Sequence, residues 1–290
     1  MHRKGLHCGS TAMGDALRAR GLDLSEETLF GLGAGLGFSL HDGDVHLAPP
    51  QASRFFVGRS ATFERDLCEA LGADLRVEQL ASAAEAWTRA LELLAQGELP
   101  LVYTNLRELP YLGAHGNWFG HLIAVATRDA LVWDNEFEQP QLIDPAQLQK
   151  ALCTALPVPQ PGATVLWLSS APAAVPAHAA RTAILRNALQ MQDSELLRLP
   201  AEVVEWHTRS DWPRIARLSA QVIEVRGCGG GLFRRLYARF LQRELPELAP
   251  LCEAAADGWS DFAALLDEKS AEECVRAETV LWARAQELCE

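Results

Sequence analysis

Cys8 lies in His7-Cys8-Gly9-Ser10-Thr11-Ala12-Met13, where small residues lead into an amphipathic helix predicted over 8–20. A thiol at a helix N-terminus meets unpaired backbone N–H groups and the positive end of the helix dipole. Both favour the thiolate, which is the nucleophile. The same N–H groups can stabilise an oxyanion on a carbonyl under attack. A lone cysteine usually just packs, so Cys8 acquires chemistry only through partners downstream. His121 opens the apolar run His121-Leu122-Ile123-Ala124-Val125-Ala126, after a loop holding Gly113, Gly116 and Gly120. Imidazole titrates near neutrality and suits a thiol's proton. Asp134 closes the next apolar run, Ala130-Leu131-Val132-Trp133-Asp134. With residues 127–129 as a hairpin turn, His121 and Asp134 share the open end of adjacent strands, where the carboxylate can fix the imidazole's tautomer and angle. Asn105 and Asn135 are candidates to replace or assist Asp134. Singly, His121 reads as a buried histidine and Asp134 as a turn residue. Jointly they read as base and orienter for a Cys8 nucleophile.

The elements that must position these groups follow from pattern. Ser25 caps a short helix with acidic residues in its first turn. Gly31, Gly33, Gly35 and Gly37 alternate through an apolar segment. Their spacing matches no phosphate-binding loop, and close backbone packing near the Cys8 helix is expected. Strands are predicted at 54–57, 75–77, 101–104, 121–126, 130–133 and 141–143, and helices from 61, over 80–94 and from 145. Between Pro157 and Pro176 the composition shifts to Pro, Ala, Ser and Gly around an apolar run at 164–168. The expected division is a catalytic domain at 1–157, a seam with a strand at 158–176, and a mainly helical domain at 177–290. The fold class is α+β, with helices first and an antiparallel sheet after.

Lys and Arg number 26 against 38 Asp and Glu, for a formal net charge of −12. That balance argues against nucleic-acid binding, which needs basic surface to replace counterions, and against docking on anionic lipid. Met1-His2-Arg3-Lys4-Gly5-Leu6 is followed by no apolar core of a signal peptide. No stretch approaches the roughly 18–20 consecutive apolar residues of a membrane span. The seven cysteines (8, 68, 153, 228, 252, 274 and 289) are scattered and form no CxxC pair. Neither a disulfide framework nor a zinc site is expected, and a reducing cytoplasm fits. The histidines at 2, 7, 41, 46, 115, 178 and 207 lack ligand spacing, so no metal is expected.

The N-terminal half resembles the N-terminal domain of butirosin biosynthesis protein H, a papain-like acyltransferase family. The resemblance is carried by His7-Cys8 and its small-residue helix, by Glu26 with Leu29-Phe30-Gly31-Leu32-Gly33-Ala34-Gly35-Leu36-Gly37-Phe38, and by Asn105-Leu106-Arg107-Glu108-Leu109-Pro110-Tyr111-Leu112. Gly120-His121 and Asp134 before Phe137-Glu138-Gln139-Pro140 complete it. The C-terminal half is similar to a domain of unknown function that accompanies this family, through the stretch from Arg226-Gly227-Cys228-Gly229-Gly230-Gly231 to Phe240-Leu241. The resemblance implies a papain-like fold, with the cysteine on a helix and the histidine and aspartate on a sheet. It implies transfer of an acyl group from a carrier-protein thioester, through acyl-Cys8, to a small amine acceptor in secondary metabolism. Cys8, His121 and Asp134 take the catalytic roles, with Glu26, Asn105 and Asn135 as supporting residues. Papain-like enzymes often place a Gln shortly before the Cys. Residues 1–7 hold none, which leaves the oxyanion to the backbone N–H of Cys8 or to another side chain.

No cofactor is expected in the chain itself, although the donor is expected to hang on phosphopantetheine. Leu232, Phe233, Leu236, Tyr237, Phe240 and Leu241 form an apolar stripe, with Arg234, Arg235, Arg239 and Arg243 on other faces. The plain reading is a core helix with a solvated basic back. The functional reading has Arg234 and Arg239 grip an acidic carrier protein or its phosphate, with Gly229 to Gly231 offering N–H groups to an anion or simply packing closely. The rival activity is a hydrolase (peptidase, amidase or thioesterase) using the same triad. A non-catalytic binding module is the alternative from another class. A homo-oligomer is compatible with the sequence, which specifies no oligomeric state.

Overall fold

A computed structural model of the chain describes residues 2–42, 54–113, 120–152, 163–210, 212–224 and 229–290. Gly116, His46, His115, Cys153, Pro157, the start of the seam at 158–162 and Arg226-Gly227-Cys228 lie outside them. In order, the elements begin with α1 (Cys8–Ala19), α2 (Glu26–Leu32), β1 (Leu36–Asp42), β2 (Arg54–Arg59), α3 (Phe63–Leu71) and β3 (Asp74–Gln79). Then come α4 (Ala83–Ala95), β4 (Leu101–Thr104), β5 (His121–Val125), β6 (Leu131–Trp133), β7 (Gln141–Leu142), α5 (Pro145–Leu152) and β8 (Thr164–Ser170). Helices alone follow: α6 (Ala179–Gln192), α7 (Leu199–Thr208), α8 (Trp212–Glu224), α9 (Gly231–Glu244), α10 (Ala249–Leu265) and α11 (Glu268–Cys289). The chain is α+β, with antiparallel pairing and a helical C-terminal region. Among the described residues no helix is long and apolar enough to cross a membrane.

The described residues form two compact units. One draws on Met1–Leu29 and Leu71–Pro176, the other on Phe30–Asp44, Pro50–Ala70 and Ala177–Glu290. This differs from the division at 157 and 177 expected from sequence, because residues 30–44 and 50–70 count with the C-terminal helices. The cause is specific pairing. Asn187 of α6 is buried, and its amide accepts from Leu36 N and donates to Leu36 O at 2.7 Å. Arg186 binds Asp66 at 3.0 Å.

In the first unit six strands lie in the order β3-β8-β4-β5-β6-β7, every pair antiparallel. The run at 164–168 is thus an inner strand. β4 and β5 are buried along their whole length, which for apolar strands means both faces are covered. Trp87, Leu93, Leu148 and Leu152 of α4 and α5 pack on Val102, Ile123, Val125 and Val165. α1 packs against β5 and β8. Each large apolar side chain so buried contributes about 1.5–3 kcal/mol, and the sheet and α1 become a rigid frame for whatever stands at their ends.

In the second unit α6 and α9 pack on the β1–β2 pair, and α7, α8, α10 and α11 pack among the helices. β1 was not expected, since Gly-rich sequence carries little strand signal. The glycines before it do allow close approach, but not to α1. A Cβ on Gly31 would lie 2.1 Å from the Phe240 ring, and one on Gly33 would lie 2.3 Å from Phe63. Arg234 corrects the picture of a solvated basic face. It is fully buried, binding Glu278 at 2.5 Å while the guanidinium lies over Trp259. Glu278 also accepts from the indoles of Trp259 and Trp282 at 2.6 and 2.5 Å. Arg239 is exposed, as the basic-face reading expects.

Candidate active site

The first turn of α1 is held from three sides. His7 is its N-cap, and its Nδ1 accepts the Ser10 N–H at 3.1 Å. One oxygen of Glu26 accepts from the N–H groups of Leu6 and His7 at 2.7 and 2.8 Å and from the Ser10 hydroxyl at 3.0 Å. The backbone just ahead of Cys8 is therefore pinned by a carboxylate where helix geometry leaves donors unpaired. Cys8 is buried as the first residue of the helix, its Sγ 4.0 Å from Gly120 O.

β5 and β6 form the expected hairpin, with Ala124 opposite Trp133 and Val125 opposite Val132. That register makes His121 and Asp134 diagonal neighbours at the open end, within reach of each other. His121 Nε2 lies 2.8 Å from Asp134 Oδ2, and Cys8, whose Sγ reaches Gly120 O next to His121, is near enough to act on the ring's charge. With Nε2 engaged by the carboxylate, Nδ1 is the nitrogen left for sulfur. Burial opposes a charged ring, yet the Asp134 carboxylate and Cys8 push the His121 pKa up to about 10. Asp134 is held below its ordinary value, against burial, by the charge and hydrogen bond of His121. Glu136 N donates to its Oδ1 at 3.0 Å, and the Tyr111 hydroxyl donates to Oδ2 at 3.0 Å.

Of the supporting residues expected from sequence, Glu26 touches the segment ahead of Cys8. Asn135 does so too: its side-chain amide donates to Gly5 O at 3.4 Å and its backbone carbonyl accepts from Gly5 N at 3.1 Å. Asn105 follows Thr104, the residue paired with His121, and its Oδ1 caps the short helix Leu106–Glu108 through Arg107 N. Arg234 is locked in its ion pair. The glycines ahead of α9 are tightly packed, a Cβ on Gly230 lying 2.9 Å from Ile223 O and from Trp259, and one on Gly231 2.9 Å from Ser260. Close packing accounts for them. Among the described residues no group of three or more His, Cys, Asp or Glu could hold a metal ion.

Sequence reasoning assigned no role to Tyr111, His7 or His2. A tyrosine within an apolar stretch needs a partner for its hydroxyl, which is the one signal Tyr111 offered. His7 was readable as a cap ahead of a small-residue helix. His2 offered nothing local.

Residues 7–135 match the family model described as butirosin biosynthesis protein H, N-terminal, and residues 146–288 match a domain of unknown function, DUF4872. The chain belongs to the butirosin biosynthesis protein H-like family. Cys8, Glu26, Asn105, Tyr111, His121, Asp134 and Asn135 all fall in the first match, and Arg234 and Arg239 in the second. No curated protein matches the chain.

Proposed function

We propose that the chain is a papain-like, cysteine-dependent acyltransferase of secondary-metabolite biosynthesis. One observation carries this reading: a cysteine opening a helix lies beside a histidine whose Nε2 is 2.8 Å from a buried aspartate. The family's name, that of a biosynthesis protein, supports the same direction. The Cys8 thiolate attacks a thioester carbonyl, and the tetrahedral oxyanion faces the first turn of α1, with the Cys8 N–H as donor. The C–S bond to the donor breaks, and the leaving thiolate takes the proton from His121. An amine then attacks acyl-Cys8 and gives its proton to His121, and Cys8 leaves as thiolate beside a renewed imidazolium. Asp134 orients the ring throughout.

On this reading the donor hangs on phosphopantetheine, borne by a carrier protein in a reducing cytoplasm. Any basic grip on that carrier uses Arg239 and not the buried Arg234. Incubation with an acyl-N-acetylcysteamine thioester, followed by intact-mass measurement, should give one acyl adduct that Cys8→Ala lacks. Added amines should then release the amide. Release of free acid alone would make the protein a hydrolase, and no adduct would leave a binding module.

A further inference from the structure

His2 stands outside the segment matched by the catalytic family model, and nothing in its sequence neighbourhood marks it. Its side chain is nonetheless 3% exposed and Asp15's is 1% exposed, with Nδ1 and the carboxylate 2.5 Å apart. On the other side, Nε2 lies 3.1 Å from Asp134 O and 2.9 Å from Phe137 O. The ring is stacked on Trp133, with 5.9 Å between centroids. Both ring nitrogens thus face acceptor oxygens, an arrangement that favours the doubly protonated imidazolium. Asp15 also accepts from Arg18 at 2.7 Å, so this carboxylate sits between two cations on the helix that Cys8 opens. The turn after β6 contributes the two carbonyls, while its own carboxylate, Asp134, is occupied by His121 and Tyr111. Glu136, on the same turn, lies next to Asp134 and takes a hydrogen bond from Asn135.

We propose that His2 is a positioning residue for the Cys8–His121–Asp134 site, a charged bolt fixing the backbone of Asp134 to α1. The proposal rests on the function argued above. α1 carries Cys8, and the turn carries the group that orients His121. A tie from Asp15 to the Asp134 carbonyl sets the span from sulfur to carboxylate that the imidazole has to bridge. The bolt is charge-dependent. Burial lowers the ring's affinity for its second proton, but the hydrogen bond and charge of Asp15 and the two carbonyls raise it above the ordinary value. Its contribution is therefore complete below about pH 6.5 and is lost as pH rises through the raised value.

The test uses His2→Phe, which keeps a ring to lie on Trp133, and reads the pH profile of Cys8 alkylation by iodoacetamide, followed on the Cys8 peptide by mass spectrometry. Expected is a low-pH limb moved to higher pH and a rate at pH 7 lower by about 10-fold or more, as for a misplacement of under 1 Å. Acylation should lose kcat with KM unchanged. Asp15→Asn should move the limb in the same direction by less. A folded His2→Phe protein with an unchanged alkylation profile and acylation kcat overturns the proposal. Should that variant fail to fold, the 15N resonances of the His2 ring in the wild-type protein decide. A doubly protonated ring at pH 7 is expected, and a neutral one overturns the bolt. Alkylation and ring protonation need no acyl transfer, so a wild-type chain that forms no acyl adduct would reject the enzyme while leaving the His2 effect readable.

Discussion

Each unit buries a charged cluster, and the two differ in where their members stand. In the first unit Cys8 opens a helix, His121 opens a strand, and Asp134 follows a strand. In the second, Arg234 and Glu278 lie inside α9 and α11. There both oxygens of Glu278 are taken, one by Arg234 and Trp259 and the other by Trp282. Interior positions give a network in which both carboxylate oxygens are engaged by donors of the protein itself. End positions give an asymmetric chain, carboxylate to imidazole to thiol, whose last member can change partner. Burial and charge are common to both clusters. On the proposed function, reactivity follows from standing at the ends of elements.

The sharpest break in this comparison comes from Cys8→Ala. It should abolish the acyl adduct and lower turnover on the order of a million-fold, as removal of a nucleophile does, with the melting temperature little changed. Retained turnover would remove the chemical half of the contrast. Next in size, Glu278→Gln leaves Arg234 buried beside a neutral amide. It should cost about 3–5 kcal/mol of stability by denaturant unfolding, while the folded fraction still forms the Cys8 adduct at the wild-type rate. A loss of adduct in folded protein would mean the second cluster is not merely structural.

A third outcome concerns pH. The His121 pKa is raised from 6.5 to about 10. Its stabilising contribution is complete below pH 6.5 and is lost as pH rises through about 10. Asp134 is lowered, so its contribution is present above its ordinary value and lost as acid reaches its depressed one. Denaturant midpoints should fall between pH 7 and 10 in the wild type and hold flatter in Asp134→Asn. Equal slopes would deny the coupling. The smallest effect is Tyr111→Phe, which takes one donor from Asp134. It should cost about 1 kcal/mol of stability and move the acid limb of the acylation profile upward. An unmoved limb would make Tyr111 a packing residue.

Much of the first unit was legible because its signals are local. The apolar runs at 101–104, 121–125 and 131–133 announce themselves, and the hairpin between the last two follows from a three-residue turn. Cys8, His121 and Asp134 were found for the same reason, since each sits where a local pattern starts or stops. Arg234 was misread although the sequence held the correction. Residues three, four and seven positions on are Tyr237, Ala238 and Leu241, all buried, so helical spacing puts Arg234 on the apolar face. β1 was missed because Gly37 within it and the glycines just before it dilute its pattern. His2 escaped because its partners lie 13, 132 and 135 residues away, a separation no local period encodes.

Because residues 30–44 and 50–70 count with the helices after 177, synthesis and assembly run out of step. The ribosome delivers Phe30, Phe63 and Leu36 long before Asn187, Phe233 and Phe240 exist to cover them. These apolar side chains must wait, uncovered and prone to stick to other chains, until nearly the whole polypeptide has emerged. A truncation after 176 would strand them permanently. Its product should need a chaperone or precipitate, however intact its sheet.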